Sequence, residues 1–313
     1  MATMVEREPP AAPSRPGDRL FAGTARAAAL LILVILAGVA VFLLVEGIPG
    51  FTADSAAYAD RGDFLSYVGP LVFGTLLAAT IALVVATPIA VGIALFISHY
   101  APRRLAAALG YLVDLLAAVP SVVFGIWGIT VLAPQLVPVM QWLEDNLGFI
   151  PLFDGPTLTS GRTMLAAGLV LAVMILPVIT AICREIFLQT PRLHEEAALA
   201  LGATRWEMIR MTVLPYGRSG IVSAAMLGLG RALGETLAVA LVLSGQLAVV
   251  FNLISANNSN TIAANIAQKF PEASGLQVNV LIATGLILFA ITFAVNYAAR
   301  KIVDRRSEYS GAN

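Results

Sequence analysis

Long uncharged stretches dominate the chain. They cover residues 27–45, 64–98, 115–143, 163–183 and 273–299, and a sixth begins at Ser219 and is interrupted only by Arg231 and Glu235. A helix needs about 20 predominantly apolar residues to cross a hydrocarbon core of roughly 30 Å. The third stretch extends back to Leu105 and takes in Asp114, while Pro70, Pro134, Pro138 and Pro271 mark where helix gives way to loop. The pattern predicts an all-α membrane protein with six transmembrane helices, over residues 25–46, 68–98, 105–133, 163–183, 219–244 and 278–300. The first run spans 19 residues. It exceeds the apolar core of a signal peptide, about 7–15 residues, and reads as a retained anchor. The polar, Pro-rich leader, residues 1–24, reads as a disordered cytoplasmic tail.

Composition agrees. Of 313 residues 58% are hydrophobic and 12% charged, against about 25% charged in a soluble domain. Lys and Arg number 19 and so do Asp and Glu, which gives no basic surface for nucleic acid. One cysteine excludes an internal disulfide, and two histidines, His99 and His194, leave no metal cluster to propose.

Charge placement orients the chain. Fifteen of the 19 basic residues fall in the N-terminal leader, at Arg103 and Arg104, in the connection 184–218, and at the C-terminal end. Three, Arg61, Arg162 and Lys269, fall in the intervening loops. Cytoplasmic flanks collect Lys and Arg, so both termini are expected in the cytoplasm. The amphipathic piece 139–147 reads either as an outer docking surface or as ordinary loop at the aqueous boundary.

The cytoplasmic connection 184–218 is the most patterned loop. Thr190-Pro191 reads as a helix start, Thr as N-cap and Pro at the first helical position. Glu195 and Glu196 suit the positive end of the macrodipole, and Gly202 suits a left-handed stop. The result is a short helix carrying Ala197, Ala198, Leu199 and Leu201, with a second helical piece near Trp206 before Leu214-Pro215. A phosphate-cradling P-loop needs a Lys after its glycines. The chain has only Lys269 and Lys301, neither so placed, so it offers no P-loop of its own. Gly230 and Gly234 form a GxxxG step suited to close helix packing.

Charges inside the apolar runs need partners. Counted from Ser219, Arg231 lies roughly 18 Å along its helix, with Glu235 one turn on, and Asp114 is expected at a similar depth. An unpaired Arg at the bilayer centre costs about 2.5–3.5 kcal/mol or more. Two readings stand open. Arg231 and Glu235 form an intrahelical pair, with Asp114 nearby, that fixes packing. Alternatively Arg231 offers its guanidinium to a passing oxyanion, Glu235 keeps that anion from binding too tightly, and Thr236 and Ser121 supply hydroxyls.

Three stretches carry a resemblance. Glu196-Ala197-Ala198, three residues, Gly202, nine residues and then Thr212-Val213-Leu214-Pro215 resembles the EAA loop of bacterial ABC importer permeases, with Thr212 where Ile is usual. Val119-Pro120-Ser121-Val122-Val123-Phe124-Gly125-Ile126-Trp127-Gly128 and the run 228–239 resemble signature stretches of PstC-type permeases of phosphate importers. The resemblance covers the chain from about Phe64 onward and implies a MetI-like permease fold. It implies docking of the short helix on an ATPase through Glu195, Glu196, Ala197, Ala198, Gly202, Leu214 and Pro215. It further implies phosphate passage by Arg231 and Glu235, with a PstA-type second permease, a PstB-type ATPase pair and an extracytoplasmic PstS-type binding protein as partners. A sulfate or molybdate permease, or the sister PstA-type subunit, shares the same physical arguments. A stand-alone transporter leaves the EAA spacing without a reason.

Overall fold

The computed structural model describes residues 16–307. Its helices are α1 (Pro16–Phe51), α2 (Phe64–Leu95), α3 (Arg103–Ala117), α4 (Ser121–Trp127), α5 (Ala133–Leu147), α6 (Met164–Leu188), α7 (Arg192–Ala200), α8 (Arg205–Met208), α9 (Leu214–Leu233), α10 (Leu237–Val242), α11 (Ile262–Lys269) and α12 (Leu276–Ser307). Wide π turns end α2 (Phe96–Tyr100), join α4 to α5 (Gly128–Leu132) and join α8 to α9 (Ile209–Val213). Five helical stretches are long and apolar enough to cross a membrane: Leu20–Phe51, Phe64–Tyr100, Ser121–Leu147, Met164–Leu188 and Leu276–Lys301.

The centre of the bundle is the α2–α6 seam. Ala78, Ala82, Ala86, Ala90 and Ala94 recur every four residues, which sets them on one helix face, and each is at most 1% exposed. Apolar attraction between helices is weak in lipid, so close backbone approach between small side chains does the holding. Gly168 of α6 receives Ile81 on the same seam. Below it, α6 buries Val170, Leu171, Met174, Ile175, Ile179 and Cys183. By contrast α1 touches the bundle along α12 and leaves the run 30–36 open on its surface. A Cβ at Gly50 would run into the Asn279 carbonyl, and Asn279 Nδ2 donates to the Glu46 carbonyl at 2.7 Å.

One end is closed by a polar knot between α10 and α11. Strands β1 (Gly245–Gln246) and β2 (Asn258–Ser259) pair in parallel. Asn258 is fully buried, its Oδ1 accepting from Met164 N and its Nδ2 donating to the Ser255 carbonyl. Thr261 caps α11, Thr75 Oγ1 accepts from Ile262 N at 3.0 Å, and Asn265 donates to Tyr67 Oη at 2.9 Å. These bonds anchor the knot to α2.

Three expectations change. The tail expected over residues 1–24 is helical from Pro16 onward, and residues 1–15 lie outside the described residues. The single helix expected over 105–133 is two: α3 stops at Ala117 and α4 starts at Ser121, because a residue before proline is pushed out of the helical region. The helix expected over 219–244 begins earlier, runs unbroken from Arg205 to Leu233, and breaks over Gly234–Thr236.

Candidate functional site

Two helix breaks lie together. At the first, Val119-Pro120 ends α3 and leaves the Ala117 carbonyl without a helical partner. At the second, Gly234 closes α9 and departs from helical geometry at φ −92°, ψ 2°, and α10 starts at Leu237. Arg231 Nη1 donates to the Ala117 oxygen at 3.4 Å and so joins the two breaks. Past them, α4 and α10 touch backbone to backbone: a Cβ on Gly125 would lie 2.8 Å from the Ala238 Cα.

Glu235 is 9% exposed, and its Oε1 accepts from Ala238 N at 3.1 Å. A carboxylate there meets the positive end of α10. The intrahelical Arg231–Glu235 pair is therefore not made. The helix ends between the two residues, and the four-residue spacing no longer sets them on one face. Among the described residues neither has an oppositely charged side chain within 4.0 Å. Thr236 Oγ1 donates back to the Gly234 carbonyl at 3.2 Å, and Ser121 is half-buried at the start of α4.

Arg231 also walls a cavity of about 1070 Å³ between α6, α9 and α12, with Ser223, Gly230, Phe293, Asn296 and Tyr297. Among the described residues Gly230 and Gly234 do not pack against another helix. A Cβ at Gly230 would meet nothing within 4 Å, and one at Gly234 only the Gly230 carbonyl at 3.8 Å. The closely packed glycines of α9 are Gly217, Gly220 and Gly228, against Phe187, Ile186 and Ile179 of α6.

Asp114 does not join this group. It lies 3.7 Å from Arg184 of α6, in a separate groove of about 630 Å³ with Arg103, Tyr111, Glu185 and Arg192. The depth expected from helical rise assumed one continuous span. An amphipathic α3 that ends at Ala117 follows another path.

The second element is α7. Its N-cap is Pro191, one residue later than expected, and the Thr190 hydroxyl is buried without a hydrogen-bond partner. Gly202 sits at φ +86°, where glycine is favoured, and its N donates to the Leu199 carbonyl. Ala198 is the buried residue of the helix. Glu196 and Ala197 face outward, with Leu193 74% and Leu201 90% exposed. Glu195 instead turns inward, 3.5 Å from His99 Nε2. Leu214 and Pro215 open α9 directly, Pro in the first turn.

A capping box that motif reading passed over fixes the next turn. Thr204 Oγ1 accepts from Glu207 N, and Glu207 Oε2 accepts from Thr204 N at 2.8 Å. The signal was Thr204-x-x-Glu207 itself. These bonds hold the Glu207 carboxyl below its ordinary value of 4.5. The box is thus complete at neutral pH and lost as pH falls through that lowered value. Amide protection factors at residues 205–208 are expected to fall on acidification, and to fall less in Glu207→Gln.

The family described as binding-protein-dependent transport system inner membrane component matches residues 86–308. Proteins named phosphate transport system permease protein PstC 2 in Mycobacterium bovis and Mycobacterium tuberculosis are 49% identical over 302 residues, 93% of this chain and 93% of each relative. A Mesorhizobium japonicum protein named PstC is 39% identical over 306 residues, 94% of this chain and 92% of its own length. Among solved structures, a bacterial alginate ABC transporter in complex with an alginate-bound periplasmic protein gives a TM-score of 0.54 at 18% identity, over 90% of this chain and 97% of that one. The inward-facing MetNI methionine ABC transporter gives 0.50 at 18% identity, over 76% and 93%. At that identity they speak for the fold alone.

Proposed function

The chain belongs to the family of binding-protein-dependent transport system inner membrane components, and we propose that within it this is the permease subunit through which an ATP-driven importer passes phosphate. It is a transport component of the inner membrane, not an enzyme. The observation that carries the mechanism is Arg231: a guanidinium with no carboxylate beside it among the described residues, where two broken helices meet, on the wall of a cavity. The relatives' names supply the substrate, which the geometry of one Arg leaves open among oxyanions.

In this reading six segments cross the membrane with both termini in the cytoplasm, α9 and α10 together making the crossing that carries charge. The Arg231 fork offers two parallel hydrogen bonds to phosphate. Glu235, held at the start of α10, keeps a negative charge near the path, so that the anion is bound weakly enough to leave. Ser121 at the head of α4 adds a hydroxyl, and Thr236 does so once released from the Gly234 carbonyl. The open face at Gly230 and Gly234 fits a PstA-type second permease. On the cytoplasmic side the Leu193, Glu196, Ala197 and Leu201 surface of α7 fits the cleft of a PstB-type ATPase pair, which holds ATP and Mg. A PstS-type binding protein delivers phosphate at the outer loops.

Uptake of labelled phosphate at low concentration tests the substrate, in cells lacking this chain and in cells with it restored. Restoration is expected to survive excess sulfate and molybdate. Uptake erased by either competitor would assign another oxyanion to the same architecture.

A further inference from the structure

We propose that His99 is a positioning residue for energy coupling, the strut that ties the coupling helix α7 to the membrane-spanning helix α2. The inference rests on α7 being the ATPase-docking helix. The last turn of α2 is not α-helical but a π turn, Phe96–Tyr100, a widened geometry that recurs at functional positions. It presents His99 to the bundle side, where the ring is 9% exposed.

Both ring nitrogens are engaged. Nδ1 lies 2.7 Å from Ser98 Oγ, which is itself 2.8 Å from the Ala94 carbonyl of the preceding turn. Nε2 lies 3.5 Å from Glu195 Oε1. An ionised carboxylate only accepts, so Nε2 carries the hydrogen. The chain Ser98, His99, Glu195 thus runs from α2 to α7, its last two members 96 residues apart in sequence.

Among the described residues no other side-chain hydrogen bond or ion pair joins α7 to α2 or its π turn. The main packing partners of α7 are α8 and the π turn Ile209–Val213, which follow it in the chain. Those contacts carry a displacement of α7 into α9. The His99–Glu195 contact carries it into α2, whose other end holds the polar knot through Thr75 and Tyr67. A push on α7 therefore reaches α9, which lines the Arg231 cavity, and α2, which packs on α6 and α9, and α2 receives it through one imidazole. In a partly buried setting such a contact is stiffer than the same pair in water.

The test uses the assembled importer in proteoliposomes and reads phosphate moved per ATP hydrolysed. His99→Ala is expected to lower that ratio roughly tenfold, with assembly and ATP hydrolysis retained. His99→Gln, which keeps a donor, is expected to recover most of the ratio, and the exchange His99→Glu with Glu195→His to restore it in part. An unchanged ratio in His99→Ala overturns the proposal. So does a parallel fall of assembly, hydrolysis and uptake at constant ratio, the mark of a packing role alone. A wild-type importer that hydrolyses ATP yet moves no phosphate overturns the substrate reading instead.

Discussion

Arg231→Gln is expected to reduce phosphate uptake by about a hundredfold or more while the chain still inserts and assembles. A hydrogen bond to a charged group is worth roughly 1.5–3 kcal/mol, and Arg offers two in parallel. Losing both exceeds the 1.4 kcal/mol that corresponds to a factor of ten. Glutamine is the informative replacement because it removes the charge and keeps an uncharged amide donor in place of the guanidinium, whose one hydrogen bond among the described residues goes to the Ala117 carbonyl. Arg231→Lys keeps the charge as a point donor without the planar fork and is expected to fall between the two. Normal uptake by Arg231→Gln would show that Arg231 serves only to hold the end of α3.

Glu196→Arg is expected to abolish uptake by releasing the ATPase. Glu196 faces outward on α7 beside Ala197, Leu193 and Leu201, with no partner in this chain among the described residues. Truncating one member of a buried, hydrogen-bonded charge pair at an interface costs about 2–5 kcal/mol, and reversing the charge adds repulsion. Association of the purified ATPase should therefore weaken by at least thirtyfold or so. Leu201→Asp, on the same surface, should weaken it too. Retained ATPase binding by Glu196→Arg would remove α7 as the docking element and leave the reading of Arg231 untouched.

Much of this was legible in the residues, and the reasons differ by element. The spans α2, α6 and α12 follow from uncharged runs too long for any soluble element. The α7 surface follows from the Glu196, Gly202 and Pro215 spacing, and the left-handed Gly202 from its place after the last apolar residue. The two breaks do not show in the hydropathy pattern, because Ala117–Val119 is apolar, Glu235 interrupts an otherwise apolar run, and hydropathy does not register a change of direction. Pro120 was the available signal for one, and Glu235 directly after Gly234, a carboxylate able to cap a new helix, for the other. Asp114 was misplaced by the same omission.

The polar knot of Asn258, Thr261 and Asn265 was invisible for another reason. Its bonding partners, Thr75 and Tyr67, sit nearly two hundred residues earlier on an apolar helix. Glu195 and Glu196 are neighbours in sequence, yet one turns to His99 and the other away. Only the packing of α7 separates them.

Cys183 is the one cysteine of the chain and is fully buried in α6. The native protein is therefore a silent background for thiol chemistry. A single cysteine introduced at Gly230, where added side-chain atoms meet open space, would be the only thiol that a membrane-impermeant maleimide could reach. Its labelling from one face of the membrane or the other, with and without ATP, would time the opening of the Arg231 cavity to each side.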